Sequence, residues 1–193
     1  MSCATIIYGP AGSGKTTLAE QLGSRIHGAV VPIDDVIKGV CRPNRPVFPL
    51  PTRAKDAIDI AIEYSRPILK EGTPVVFEWY FPEEHQLQKL RHGLSEFDCV
   101  IFNLKAPVEI CIQRDAKRHP ARRLGEATIR DVHERVSRTN VGTPVDTHKN
   151  DIPSALMGMI AYLSATQPQI SARSVGLDTG KCFTPPPDSA AGL

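Results

Sequence analysis

The 193-residue chain is 41% hydrophobic and 23% charged, proportions of a globular protein that exclude a mainly disordered one. No apolar run approaches the roughly 20 residues of a membrane span, and the opening MSCATIIYGP lacks the basic and apolar regions of a secretory signal, so a cytoplasmic protein is expected. The net charge of +2 excludes a general nucleic-acid magnet, yet residues 105–123 hold six Lys or Arg against two acids, a local patch suited to a compact anion.

In chain order, Ala4 to Tyr8 reads as a buried strand, and Leu18, Leu22 and Ile26 set one face of a helix after it. Ala29 to Ile33 reads as a second strand whose register Pro32 makes uncertain. Residues 41–51, with four prolines and two arginines, read as an irregular loop. A helix is expected over Thr52 to Lys70, kinked or shortened by Pro67. Pro74 to Glu78 is a third strand, Pro82 to Leu94 a polar helix and Cys99 to Leu104 a fourth strand. Val108 to Arg118 and Glu126 to Arg138 read as two helices around a basic hinge. Gly142 to Asp146 is a short fifth strand, and Ile152 to Leu163 an amphipathic helix.

This alternation predicts an α/β fold, an open parallel sheet of about five strands with helices on both faces. Residues 1–167 form the predicted domain; 168–193, with four prolines, three glycines and one aromatic, are expected to be a disordered tail. The five scattered cysteines contain no C-x-x-C pair, so neither disulfides nor structural zinc are expected, and Cys99 and Cys111 read as core fillers. The six histidines show no metal-ligand spacing, and His27, His85 and His92 are expected on the surface.

The strongest motif is Gly9-Pro10-Ala11-Gly12-Ser13-Gly14-Lys15-Thr16, followed by Thr17. It fits G-x-x-x-x-G-K-[ST], the loop whose backbone cradles phosphates, here between a strand and a helix as the chemistry requires. Lys15 is expected to bridge the β- and γ-phosphates and the Thr16 hydroxyl to bind Mg²⁺. The motif points to a nucleoside triphosphate and Mg²⁺ without naming the reaction or separating ATP from GTP; ATP and Mg²⁺ are the expected cofactors.

Asp34 and Asp35 follow the second strand, where an open parallel sheet borders its ligand crevice. One of them caps the next short helix, while the other is expected to take the proton of an acceptor hydroxyl. Arg114 and Arg118, four apart, are expected to share a helix face, with Lys117 beside them and Arg122 and Arg123 beyond Pro120. They read either as a solvated basic face or as a lid of about 114–125 that neutralises charge on a transferring phosphoryl group. Arg122 and Arg123 face phosphate or acceptor. Glu78 is either a holder of Mg²⁺-bound water or a solvated strand end. Trp79, Tyr80 and Phe81 read equally as an acceptor wall or as core at the sheet rim.

Together the loop GPAGSGKTT, the Asp34–Asp35 pair and QRDAKR resemble small P-loop kinases over roughly residues 3–165. The similarity is to polynucleotide 5′-kinase domains, the zeta-toxin group and chloramphenicol phosphotransferases. It implies that Asp34 is the general base and that Arg114 and Arg118 are the lid arginines. It also implies that Val145 to Lys149 borders the nucleotide base. Asp35 joins Thr16 and Glu78 as the expected metal set, although the family more often carries aspartate where Glu78 stands. The Pro-rich loop 41–51 has no counterpart.

The expected activity is transfer of the γ-phosphoryl group of ATP to a hydroxyl of a small molecule. The rivals are a polynucleotide 5′-hydroxyl kinase, disfavoured because no extended Lys/Arg track is visible, and a non-catalytic nucleotide switch, which needs no base.

Overall fold

The computed structural model describes residues 3–39 and 56–167. Cys3–Tyr8 (β1) is buried throughout and apolar but for Thr5, as suits a strand covered on both faces. Its alternate side chains enter two separate cores: Ile6 and Tyr8 one, Ile7 the other. Lys15–Arg25 (α1) starts at Gly14 and buries Leu18, Ala19 and Leu22.

Ala29–Pro32 (β2) stops one residue before the sequence reading, because the chain turns at Ile33 into a six-residue helix, Ile33–Lys38 (α2). That is the short helix expected after the second strand, although it starts at Ile33, before the two aspartates, rather than being capped by one of them. Pro32 is extended, lacks an N–H to extend the ladder, and Gly39 closes α2 in the left-handed region.

Ala57–Lys70 (α3) begins at Ala57, where Asp56 is extended and its carboxylate accepts from the amides of Ile58 and Asp59. The helix therefore starts later than the expected Thr52. It continues past Pro67 to Lys70, with the hydroxyl of Ser65 bonded back to Ala61 O at 2.7 Å. The loop expected at 41–51 and the tail expected from 168 lie outside the described residues.

Val75–Trp79 (β3), Glu84–Gly93 (α4) and Asp98–Lys105 (β4) follow. Val108–Ala116 (α5), a short 3₁₀ turn at Pro120–Arg122, and Glu126–Ser137 (α6) then carry the basic segment. Thr143–Asp146 (β5) and Ile152–Thr166 (α7) complete the described chain.

The five strands form one parallel sheet in the order β2-β3-β1-β4-β5. One face packs Val31, Ile33, Ile60, Phe77, Phe81 and Leu87; the other packs Leu18, Leu22, Phe102, Leu104, Ala155 and Met159. Burial of this kind stabilises a fold by roughly 25 cal/mol per Å² of apolar surface. Central strand β1 ends at Tyr8, so the glycine loop rises from the middle of the sheet's carboxyl edge, with the ends of β3 and β4 on either side. Among the described residues no helix is long and apolar enough to cross a membrane.

Candidate active site

The loop closes tightly. Lys15 Nζ donates to Pro10 O at 3.0 Å, and Ser13 N donates to the same carbonyl at 3.2 Å. Gly12 is required there: its φ is +83°, and a Cβ would lie 2.7 Å from Cys111 O. Gly14, at φ +95°, is the α1 N-cap. Ala11 is half-buried against α5, and Thr17 is exposed on α1. The buried Ser13 Oγ has no hydrogen-bond partner among the described residues.

Lys15 projects among charges. Burial lowers its pKa, the carboxylates of Glu78 and Asp34 push it back up, and the Arg118 guanidinium lowers it again. Glu78, Asp34 and Arg118 are thus charged groups that act on Lys15.

Glu78 is not a solvated strand end. It is 6% exposed, and its Oε1 accepts from Thr16 Oγ1 at 3.2 Å. The register Ile7↔Glu78 and Tyr8↔Trp79 delivers this carboxylate beside the loop. Thr16 and Glu78 are hard oxygen donors side by side, the chemistry Mg²⁺ requires. Asp35 is buried in α2, 2% exposed, whereas Asp34 is exposed. Both lie in the first turn of α2, and neither side chain caps it.

Asp34 Oδ1 accepts from Trp79 Nε1 at 2.9 Å. Of the aromatic stretch after β3, Trp79 and Phe81 are core residues, 6% and 0% exposed, and Tyr80 is half-buried. The indole bond to Asp34 was missed by the sequence reading, since no local pattern links residues 45 apart.

The basic segment is divided by the structure. Arg114 and Arg118 do not share a helix, because α5 ends at Ala116. Arg118 N bonds to Asp115 O at 3.0 Å, and His119 turns extended before Pro120, as residues preceding proline do. Arg114 is tied to the protein: its guanidinium donates to Gly12 O at 3.3 Å, to Thr147 Oγ1 at 3.3 Å and to Thr147 O at 2.6 Å. Thr147 in turn donates to Ser13 O at 2.9 Å. The stretch 145–149 therefore buttresses the phosphate loop through Thr147.

Arg118 is exposed, its Nη1 3.4 Å from Asp115 Oδ1. Lys117, Arg122 and Arg123 are also exposed, and Arg123 Nε donates to Arg118 O at 2.9 Å. Asp115 is 3% exposed, and its Oδ2 accepts from the amides of Leu124 and Gly125 at 3.0 and 3.1 Å. It straps the basic segment to α5. A lone acid between two arginines in Q-R-D-A-K-R was the available signal for it.

Beside Pro10 a separate pocket of about 170 Å³, lined by Asn103, Lys105, His133 and Asp146 among others, opens under α6. It touches neither Lys15 nor Asp34. Cys111 is buried and Cys99 half-buried, while His27, His85 and His92 are exposed. Among the described residues no group of three or more His, Cys, Asp or Glu could hold a metal ion.

A family model described as an AAA domain (AAA_33) matches residues 5–139. No curated protein matches the chain. Among solved structures, a gluconokinase from Sinorhizobium meliloti 1021 is 16% identical, with a TM-score of 0.57 over 89% of this chain and 97% of its own. The Deinococcus radiodurans tunicamycin resistance protein is 20% identical, with a TM-score of 0.62 over 84% and 96%. A sugar kinase from Janibacter sp. HTCC2649 is 16% identical, with a TM-score of 0.58 over 88% and 98%. At these identities the likeness is one of fold, that of the small P-loop kinases.

Proposed function

The chain belongs to the AAA_33 family of AAA domains, and we propose that it transfers the γ-phosphoryl group of ATP to a hydroxyl of a small molecule. The observation that carries this reading is the convergence at one sheet edge of Lys15, Glu78 bonded to Thr16, and Asp34 bonded to Trp79. A nucleotide switch needs the first two; a carboxylate held beside them suits an acceptor.

In the proposed step, Asp34 accepts the proton of the acceptor hydroxyl while that oxygen bonds to the γ-phosphorus. The bond from phosphorus to the β–γ bridging oxygen breaks, and ADP leaves with its electron pair. Gly9 to Thr17 cradle the phosphates, and Lys15 holds the β- and γ-oxygens. Thr16 and Glu78, with Asp35, would hold Mg²⁺, which when bound neutralises charge on those oxygens. Arg118, exposed and bonded loosely, closes over the charge that develops; Arg122 is an accessory contact to phosphate. Arg114 acts by holding the loop and Thr147 together.

The fold relatives include a gluconokinase and a sugar kinase, which makes sugars and sugar acids the first acceptors to try. The test is a screen with γ-labelled ATP and Mg²⁺ over sugars, sugar acids, nucleosides, antibiotics, amino acids and 5′-hydroxyl oligonucleotides. Label is expected in a small hydroxylated compound, and Asp34→Asn should lower its transfer by roughly 10²- to 10⁴-fold. Labelling of the oligonucleotide alone would replace this reading with the polynucleotide kinase, and no transfer at all with tight ATP binding would replace it with the switch.

A further inference from the structure

We infer that Trp79 is a positioning residue for Asp34: its indole N–H holds one carboxylate oxygen, leaving the other to take the acceptor's proton. The inference rests on the phosphotransfer reading above, in which Asp34 is the base.

The pair is built by strand register. β2 and β3 run parallel with Pro32 opposite Glu78. Trp79 is one residue past that last pair on β3, and Asp34 two residues past it in α2. Both therefore emerge at the carboxyl edge of the sheet, where Nε1 meets Oδ1 at 2.9 Å. A hydrogen bond to an ionised group is among the stronger kinds.

An exposed aspartate needs such a restraint. Asp34 faces solvent, so its side chain would otherwise turn freely, and a misplacement of about 1 Å can cost on the order of 10²-fold in rate. The indole, by contrast, is buried. It is packed edge-on against Phe81, with ring centroids 5.2 Å apart at 72°, and against Tyr80 at 5.1 Å and 68°. Phe81 is wholly buried and has a φ of +44°, a left-handed backbone that a bulky residue adopts only when its surroundings impose it. Packing against Tyr8, at the foot of the phosphate loop, helps impose it. These edge-on contacts thus hold the indole where its Nε1 meets Asp34.

A merely structural account has the buried indole N–H taking whichever acceptor is near. The two accounts differ in one measurable respect: a residue acting through Asp34 has no effect when Asp34 cannot act.

Trp79 is the only tryptophan in the sequence, so the full chain gives a single indole signal in a ¹⁵N–¹H correlation spectrum. Asp34→Ala should move that proton upfield as the charged acceptor is lost. Turnover is read with Mg-ATP and water as the acceptor. Trp79→Phe should lower kcat about 10-fold with the KM for ATP within about twofold, and should cause no further loss in an Asp34→Asn background. An unmoved indole resonance in Asp34→Ala overturns the inference, as does an undiminished kcat in Trp79→Phe or an equal loss in both backgrounds. If Trp79→Phe does not fold, Trp79→Tyr takes its place in the same comparison between the wild-type and Asp34→Asn backgrounds. Full turnover by Asp34→Asn would instead overturn the base assignment itself and this inference with it, whereas a crippled Asp34→Asn beside an unaffected Trp79→Phe overturns this inference alone.

Discussion

The carboxylate of Asp115 accepts the backbone N–H of Gly125 at 3.1 Å, ten residues on and past Lys117, Arg118, Arg122 and Arg123. The same oxygen takes Leu124 N at 3.0 Å. A buried acid is thus the fixed point from which Arg118 extends.

Removing that strap should loosen the segment before it unfolds the sheet. Asp115→Ala leaves two amides without their charged acceptor, each such bond contributing roughly 1.5–3 kcal/mol. We expect amide exchange at Leu124 and Gly125 to rise by at least about 10-fold while β1 and β3 remain protected. Unchanged protection at both amides would show that other contacts hold the segment.

Lys15 is the only cation within the loop from Gly9 to Thr16. Lys15→Ala should weaken Mg-ATP binding or turnover on the order of 10²-fold or more while the thermal midpoint stays close to wild type. Calorimetric titration with Mg-ATP and a melting curve measure the two. Near-normal turnover by the folded variant would remove the lysine from the mechanism.

Tyr8 ties the end of β1 to the connection between α6 and β5. Its hydroxyl donates to Val141 O at 2.7 Å and accepts from Val141 N at 2.9 Å, and the ring is wholly buried. Tyr8→Phe keeps the ring and strands both groups, so a loss of about 1–3 kcal/mol is expected in urea unfolding. A loss below a few tenths would mean that water replaces the hydroxyl.

The start of α3 should be acid-sensitive. Burial opposes ionisation of Asp56, but the Lys89 ammonium and the amides of Asp59 and Ile58 outweigh it and lower its pKa below 3.8. A carboxyl depressed on folding adds stability above its unfolded pKa and loses it as pH falls through the folded value. Asp56→Asn keeps a capping side chain without the charge. Wild type should therefore exceed it by up to about 1 kcal/mol near neutrality, since the pair is largely solvent-screened. The gap should narrow as pH falls below 3.8 towards the folded value. A gap that does not narrow below pH 3.8 would place the stabilisation elsewhere.

By itself the sequence determined what depends on neighbours in the chain. The loop Gly9 to Thr16 was legible because its geometry is set by glycines at fixed spacing between an apolar strand and an amphipathic helix. The alternation of strands and helices was legible from periodicity, and with it the parallel sheet. Asp34 and Glu78 were visible as carboxylates at strand ends, but their surroundings were not.

Only the tertiary structure decided those surroundings. It set the strand order β2-β3-β1-β4-β5, which brings Glu78 to Thr16 across 62 residues. It turned the chain into α2 at Ile33, burying Asp35 and exposing Asp34 to the Trp79 indole. It separated Arg114 from Arg118, since α5 stops before Pro120 and the Arg114 guanidinium finds carbonyl oxygens of Gly12 and Thr147. The physical reason is common to all three. A hydrogen bond between distant residues depends on how the strands align and where a helix ends, and neither quantity leaves a period or a motif in the local sequence.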